Sequence, residues 1–184
     1  MQHWTWIALA AMPFAALGFL YNRLVRHRNL LREAWSGIDV QLKRRHVLVP
    51  NLVEVVKSYA HHEADVLEEV TRARTESQRA SAPDAAEAGE VQLTRALKSV
   101  LLLVENYPDL KANGNFLDLQ HKLVDIEDQI QMARRYYNGT VRDYNTLVES
   151  FPANIVAGIF RFAPRDYFEI ETATERLAPR IDLP

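Results

Sequence analysis

Apolar residues recur at alternating spacings of three and four in three stretches of this chain, a pattern typical of helices that pack on other helices. The first stretch has fourteen such positions, of which eleven are apolar: Leu31, Trp35, Ile38, Leu42, Arg45, Val49, Leu52, Val56, Tyr59, Glu63, Val66, Val70, Ala73 and Ser77. It predicts one helix of roughly fifty residues. Pro50 lies within this helix and lacks a backbone donor, so the helix either bends or breaks near that residue.

The second and third stretches follow a break at residues 81–84. Asp84 and Glu87 have the spacing of a capping box, which marks a helix N-terminus. The second stretch ends at Pro108 and comprises Leu93, Leu97, Val100, Val104 and Tyr107. The third has ten apolar residues among its eleven positions: Phe116, Leu119, Leu123, Ile126, Ile130, Ala133, Tyr137, Thr140, Tyr144, Leu147 and Phe151.

The ends of the third helix can also be predicted. Asn115 is the expected N-cap, and the helix is expected to continue through Asn138-Gly139 because the apolar spacing continues there. Pro152 either stops this helix or opens a short final helix from Ala153 to Phe160. The predicted fold class is therefore all-α: an N-terminal transmembrane helix, an antiparallel bundle of three long helices and a short C-terminal helix.

The transmembrane prediction comes from residues 4–22, nineteen positions without a charged side chain. As a helix they span about 28 Å, close to the ~30 Å hydrocarbon core of a bilayer. Trp4 and Trp6 at one end and Tyr21 at the other fit the aromatic residues found at membrane interfaces. A cleaved signal peptide and a buried soluble helix are the alternatives, but a signal peptide carries its basic residues before the apolar run.

We therefore divide the chain into three parts. Residues 1–22 are predicted to form an N-terminal transmembrane anchor, and residues 23–170 a soluble helical bundle. Residues 171–184 lack any apolar pattern and are predicted to be a disordered tail.

Basic residues are concentrated directly after the apolar run. Residues 23–45 hold seven basic side chains against two acidic ones, whereas the whole chain has a net charge of −2. Because Lys and Arg are retained on the cytoplasmic side of the cell membrane, the N-terminus is expected outside and the domain in the cytoplasm. The net charge favours no nucleic-acid partner. The nearest arginines either contact lipid headgroups or are simply solvated: Arg23, Arg26, Arg28 and Arg32.

The predicted first helix is longer than the bundle can cover. From residue 21 to residue 80 it measures roughly 90 Å, against about 36 and 53 Å for the second and third helices. Unless Pro50 folds it back, its membrane-proximal part is uncovered, and a bare apolar surface in an ordered protein marks an interaction site. Trp35, Ile38 and Leu42 are therefore the candidate site for a protein partner or a second copy of the chain. A bend, or the short C-terminal helix, would cover them instead.

Motifs of catalysis and cofactor binding are missing from the sequence. The chain has no cysteine and six glycines, and it contains no phosphate loop, serine elbow or zinc-protease helix. His61, Asp65 and Glu69 share a helix face at metal-ligand spacing, although a solvated face has the same spacing. Asp118 and His121 form a single incomplete copy of a di-metal pair, where such bundles use two. We predict no catalytic, cofactor-binding or metal-ligating residue.

Polar residues at the apolar positions are expected to be paired. Arg45 and Glu63 would each be costly to bury alone, so they reach water or pair with another helix. The third helix offers acidic partners for Arg44 or Arg45 at Asp125, Glu127 and Asp128.

Other polar residues are expected to have structural roles. His27 and His46 fall in the basic block and are expected at the surface. Tyr137-Asn138 and Tyr144-Asn145 repeat seven residues apart, so their amides are expected to bridge helices and fix the register.

Several stretches of the chain closely resemble the LemA family. They are Tyr21-Asn22, Leu24-Val25, Arg28-Asn29, Ala34-Trp35-Ser36, residues 38–45, residues 49–53, Val56-Lys57, Tyr59 to Glu63, residues 71–74, Glu127 to Ile130, residues 133–138, Tyr144-Asn145 and Phe151-Pro152, with Phe162 and Phe168. The similarity covers essentially the whole chain, although His46 stands where the family commonly has an acidic residue. The resemblance implies a short outside N-terminus, one transmembrane helix and a soluble helical bundle. It implies no activity or catalytic residue, and scaffolding roles at membranes have been proposed for members.

The predicted function is that of a non-enzymatic, single-pass, membrane-anchored helical scaffold. Its expected partners are the lipid bilayer and other proteins, including a second copy of the chain, and no cofactor is predicted. A metal- or ligand-binding helical bundle is one alternative. An accessory subunit of a membrane protease or transporter is another.

Overall fold

The computed structural model describes residues 2–60, 62–79 and 83–168, and for residues 2–11 and 83–85 it describes the helical backbone alone. Within these residues there are helices and no strands, so the all-α fold class is confirmed. The helices are α1 (Gln2–Lys57), α2 (Ala64–Arg79), α3 (Pro83–Val104), α4 (Pro108–Lys111), α5 (Gly114–Glu149) and α6 (Ala153–Phe160). The predicted disordered tail, residues 171–184, lies outside the described residues.

The first predicted helix is in fact two helices. α1 passes through Pro50 without interruption and ends at Lys57, and α2 begins at Ala64. The end of α1 is closed locally, since the Ala60 N–H donates to the Val56 carbonyl at 2.9 Å. The apolar spacing continues across the break because Val56 and Val70 are buried in the same core. The described chain therefore has four long helices where the sequence predicts three.

The later elements follow the prediction more closely. α5 runs unbroken through Asn138-Gly139, and α6 begins and ends at the predicted residues. The predicted cap of α5 is wrong by two residues, because Asn113 Oδ1 accepts the N–H groups of Asn115 and Phe116 at 2.9 and 3.1 Å. An N-cap side chain bonds the second and third helical N–H groups, and from Asn115 those two would lie beyond Phe116.

The described chain divides into two compact units, and α1 and α5 each contribute to both. Unit 1 contains residues 2–38 and Met132–Tyr167, and unit 2 contains Asp39–Gln131 and Phe168. In unit 2, α2 packs against α3, and only residues 80–82 separate these helices, so they run antiparallel. The core of unit 2 draws on α1 to α5 and comprises Val49, Leu52, Val56, Ala60, Leu67, Val70, Ala73, Leu93, Ala96, Leu97, Val100, Val104, Leu110 and Phe116.

The core of unit 1 is built by α1, α5 and α6 around aromatic rings. Tyr137 and Tyr144 are almost fully buried, and the Trp35 ring lies 5.7 Å from the Tyr137 ring in an edge-on contact. The Phe160 and Phe162 rings lie 4.7 and 5.9 Å from the Tyr21 ring, which holds α6 and the segment after it against α1.

Candidate functional site

The three predicted interaction residues are covered in the structure. Ile38 and Leu42 are 0% and 5% exposed, and Trp35 is half-buried against Tyr137. The expectation that this part of α1 is bare is wrong, because α1 ends at Lys57 and α5 supplies a ring opposite Trp35. That these residues bind a partner stays a prediction. Binding through Ile38 or Leu42 would require the neighbouring side chains to separate.

The four predicted headgroup arginines are not equivalent. Arg23, Arg26 and Arg32 are exposed, whereas Arg28 is half-buried with its guanidinium carbon 4.9 Å from the centre of the Phe162 ring. This cation–π contact holds Arg28 against the chain that follows α6. Contact with lipid stays a prediction for all four.

The described start of α1 is strongly apolar on its surface. Met12, Phe14 and Phe19 are 70%, 78% and 67% exposed. Among the described residues, no helix has both the length and the apolar character required to cross a bilayer. The predicted anchor includes Trp4 and Trp6, whose side chains lie outside the described residues.

Unit 2 contains a buried polar cluster that the sequence only partly predicts. We call it the Glu90 cluster; it consists of Arg45 and His46 from α1, Ser77 from α2 and Glu90 from α3. The Glu90 side chain is 0% exposed. Its Oε2 lies 3.3 Å from Arg45 Nη1, and its Oε1 lies 2.7 Å from His46 Nε2 and accepts the Ser77 hydroxyl. Two helices, α1 and α2, thus supply donors to one carboxylate on α3, which removes the cost of burying it unpaired.

The assignment of hydrogen-bond donors and acceptors in the Glu90 cluster limits its possible chemistry. A carboxylate only accepts hydrogen bonds, so His46 must carry its proton on Nε2 in order to bond Glu90. The Ser77 hydroxyl also donates to Glu90, although Nε2 lies only 3.0 Å away. His46 therefore offers Ser77 no free lone pair at this nitrogen, as a general base for a serine nucleophile must. The arrangement is that of a structural cluster.

Arg45 extends the Glu90 cluster to one further helix, α5. Its Nη2 donates to Thr94 Oγ1 at 3.0 Å, and its Nη1 lies 3.4 Å from Glu127 Oε2 on α5. The predicted pairing of Arg45 with an acid on the third helix is confirmed for Glu127. Arg74 Nε adds a hydrogen bond to the His46 carbonyl at 2.7 Å.

Two other polar expectations have clear outcomes. His46 is 6% exposed, so the expectation that it lies at the surface is wrong. The polar partners of His46 are on α2 and α3, which the spacing within α1 does not reveal. Glu63 is half-buried and accepts a hydrogen bond from the Tyr107 hydroxyl at 3.4 Å, so it is paired as expected.

A sequence signal for Glu90 exists. Glu90 precedes Leu93 by three residues and so continues the apolar spacing of α3 one step towards its start. A polar residue at such a position marks a buried pair, as it does for Arg45 and Ser77 on the preceding helices.

Asn145 binds the chain after α6 rather than a neighbouring helix. Its Nδ2 donates to the Arg165 carbonyl and its Oδ1 accepts the Arg165 N–H, both at 2.8 Å. The prediction that this amide bridges two helices is therefore wrong for Asn145. Nearby, burial raises the pKa of Tyr144 above 10.0, and the charges of Arg165 and Arg28 oppose this by lowering it.

No group of three or more His, Asp or Glu side chains in the described part of the chain could hold a metal ion. Of the predicted helix-face set, Asp65 is exposed and His61 lies outside the described residues.

An open groove of about 450 Å³ lies at the surface of unit 2. Its lining includes Leu101, Leu102 and Phe116, with Lys98 and Lys111 among the polar residues. Leu102 is 65% exposed, which is more than any other apolar side chain that lines the groove.

These features define an all-helical protein in which buried polar pairs tie several helices together. The profile of the LemA family matches residues 34–183, and the chain belongs to this family. Protein LemA of Metamycoplasma hominis is 28% identical over 140 residues, which covers 74% of this chain and 63% of the relative.

Magnetosome protein MamQ 2 of Paramagnetospirillum magneticum is 24% identical over 185 residues, covering 86% of this chain and 68% of the relative. MamQ of Magnetospirillum gryphiswaldense is 24% identical over 189 residues, covering 88% and 70%. The match thus spans less than two thirds of the length of the Metamycoplasma protein and slightly more than two thirds of the magnetosome proteins.

Proposed function

We propose that this chain is a non-enzymatic helical scaffold held at the cell membrane by a single N-terminal span, residues 4–22, with its domain in the cytoplasm. The observation that carries the proposal is the exposed apolar surface of α1, at Met12, Phe14 and Phe19. Burying one such side chain completely is worth about 1.5–3 kcal/mol, which is a strong drive towards lipid. The exposed Arg23 and Arg26 follow directly and would lie at the level of the headgroups.

The non-enzymatic part of the proposal is supported by how the polar residues of unit 2 are used. The donors and acceptors of the Glu90 cluster are directed at one another and are buried. An active site needs polar groups that face a space where substrate can bind. The open groove near Leu102 is lined mainly by apolar side chains and lysines, which suits a protein partner better than a reaction.

Alkaline carbonate extraction of membranes tests the anchor. The wild-type chain should stay with the membranes, whereas Phe14→Lys with Leu17→Lys should be released because two charges in a span are costly. A matched control, Asn29→Lys with Ser36→Lys, changes two exposed residues of α1 beyond the span and should stay. Release of the wild-type chain would contradict membrane anchoring.

Photocrosslinking in membranes tests the scaffold role. A photoreactive residue at Leu102 should give one discrete crosslinked species, either a second copy of the chain or one other protein identified by mass spectrometry. The same residue at the exposed Glu68 of α2 should not give it. Indistinguishable products from the two positions would contradict a partner at the groove.

A further inference from the structure

Helix α6 is largely apolar on the side that the described residues leave uncovered. The helix, Ala153–Phe160, contains no charged residue. Its inner side is buried at Ala153, Val156 and Ala157, whereas Ile155 and Ile159 are 56% and 62% exposed. Asn154 is the one polar side chain of this helix and is exposed, so the rest of the uncovered side is apolar, and an apolar helix face is normally covered.

The exposed apolar side chains on α6 and just before it recur at a regular spacing. Phe151, Ile155 and Ile159 follow one another at intervals of four, and Phe151 is 79% exposed. Residues four apart lie one above the other on a helix, so Ile155 and Ile159 are neighbours on the same face, and Phe151 lies two residues before the helix begins. We call these three residues the α6 stripe. None of the residues that the structure describes covers it, and an exposed apolar surface of this kind marks a contact site.

Ring contacts place α6 beside the predicted end of the membrane span. The Phe160 ring lies 4.7 Å from the Tyr21 ring, and Tyr21 is one residue from the end of the uncharged run 4–22. Tyrosine at the end of a span lies at the level of the lipid headgroups. α6 is therefore joined to α1 at the depth where the hydrocarbon core gives way to water.

Charged residues next to α6 match the surface of a membrane with anionic lipids. Arg161 directly follows the helix and Arg165 comes four residues later, and both are exposed. On α1, the exposed Arg23 and Arg26 follow Tyr21. An apolar stripe with arginines beside it is the pattern of a helix that lies in the interface, with its apolar side among the acyl chains and its cations at the headgroups.

We propose that the α6 stripe of Phe151, Ile155 and Ile159 inserts into the cytoplasmic interface of the bilayer beside the anchor. α6 is then a second membrane contact, which fixes the rotation of α1 at the membrane surface. The inference rests on the membrane anchoring proposed above, and its test separates the two.

Because the chain has no cysteine, single cysteines can report local surroundings without background. The full chain is reconstituted in vesicles of phosphatidylcholine and phosphatidylglycerol, with a nitroxide attached at one of four positions. Ile155→Cys and Ile159→Cys report the α6 stripe, and Leu17→Cys reports the anchor. Val124→Cys on α5 is the matched control, because its exposure of 54% is close to the 56% of Ile155. Collision with oxygen, which is enriched in lipid, is compared with collision with a water-soluble nickel chelate.

The proposal expects oxygen accessibility to exceed nickel accessibility several-fold at 155 and 159, with the reverse at 124. Water-like values at 155 and 159 with lipid-like values at 17 would overturn the proposal and leave the anchor intact. Low accessibility to both reagents at 155 and 159 would mean that protein covers the stripe, which also overturns it. Lipid-like values at 155 and 159 with water-like values at 17 would support the stripe and contradict the span. Circular dichroism of each labelled protein verifies that it is folded.

Discussion

Glu90 is the residue whose loss should most weaken the packing of the helices in unit 2. Its carboxylate is fully buried and accepts hydrogen bonds from side chains of two other helices. Removing one member of a buried ion pair leaves the other charged and without compensation. Arg45 retains Glu127, which lies 3.4 Å away and is about one third exposed, so part of its pairing survives. Loss of Glu90 should therefore weaken the contact between α1 and α3 more than the contact between α1 and α5.

Replacing Glu90 by Gln should lower the free energy of unfolding by about 3 kcal/mol, because Arg45 then loses its fully buried partner. The matched control is Glu105→Gln, which makes the same change at an exposed residue and should alter stability by less than ~0.5 kcal/mol. Urea unfolding in detergent, followed by helical circular dichroism, measures both. Equal effects of the two substitutions would show that the buried pair contributes nothing.

Tyr144 makes stability depend on pH at the alkaline end. Its pKa is raised in the folded protein by burial, so the unfolded chain gives up this proton first as the pH rises. The contribution is fully present below the unfolded pKa of 10.0 and is lost as the pH rises through the higher folded value. Tyr144→Phe cannot titrate, so its stability should fall less than that of the wild type above this pH. Parallel losses in urea unfolding across that range would contradict the assignment.

The polar cluster shows what sequence spacing reveals about residues and what it does not. Arg45 and Ser77 stand at apolar positions, and from Arg45 the need for a partner and the candidacy of Glu127 follow directly. The prediction for His46 is wrong because its position in a basic block carries no information about α2 and α3. The choice among several acids depends on which helices meet, and that is a tertiary property.

At the level of the helices, periodicity predicts the buried faces well and the breaks poorly. The predicted positions of α3 and α5 are mostly buried, and α6 has its predicted bounds. The break between α1 and α2 contains no proline, and the apolar spacing crosses it undisturbed. Pro50 is the residue expected to break the helix, yet α1 continues for seven residues beyond it. Whether a helix ends is decided by its neighbours as much as by its own residues.

The close approach of α2 and α3 depends on Gly89. A Cβ atom at this position would lie 2.7 Å from the Ser77 Cα, so Gly89→Ala must push the helices apart next to the Glu90 cluster. It should lower the free energy of unfolding by about 1–3 kcal/mol. At Gly139, within α5, nothing lies within 4 Å of an added Cβ, and Gly139→Ala should raise stability by about 0.5–1 kcal/mol. Thermal unfolding that shifts in the same direction for both would contradict the close contact.

The start of α5 offers a direct choice between the cap predicted from sequence and the one in the structure. Asn113→Ala removes the acceptor of two backbone N–H groups and should cost about 1 kcal/mol. Asn115→Ala removes an exposed amide inside the helix and should change stability by less than ~0.5 kcal/mol. Urea unfolding compares them, and a larger loss at Asn115 would favour the cap predicted from sequence.

At the scale of the whole molecule, the two units have different contents. Unit 2 contains the Glu90 cluster and the larger apolar core, which stabilise the fold. Unit 1 contains the exposed apolar surfaces of α1 and α6, with arginines beside them. The LemA family membership fits a helical protein without implying a reaction. The apolar surfaces of unit 1 that have arginines beside them are the ones for which we propose contact with the membrane.

Thiol labelling of intact cells tests the anchored arrangement most directly. The natural chain has no cysteine, so Gln2→Cys and Ser36→Cys place one thiol on each side of the predicted span. A membrane-impermeant maleimide should label position 2 in intact cells and position 36 only after the cells are opened. Labelling of position 36 in intact cells, or protection of position 2, would contradict a single span with the domain in the cytoplasm.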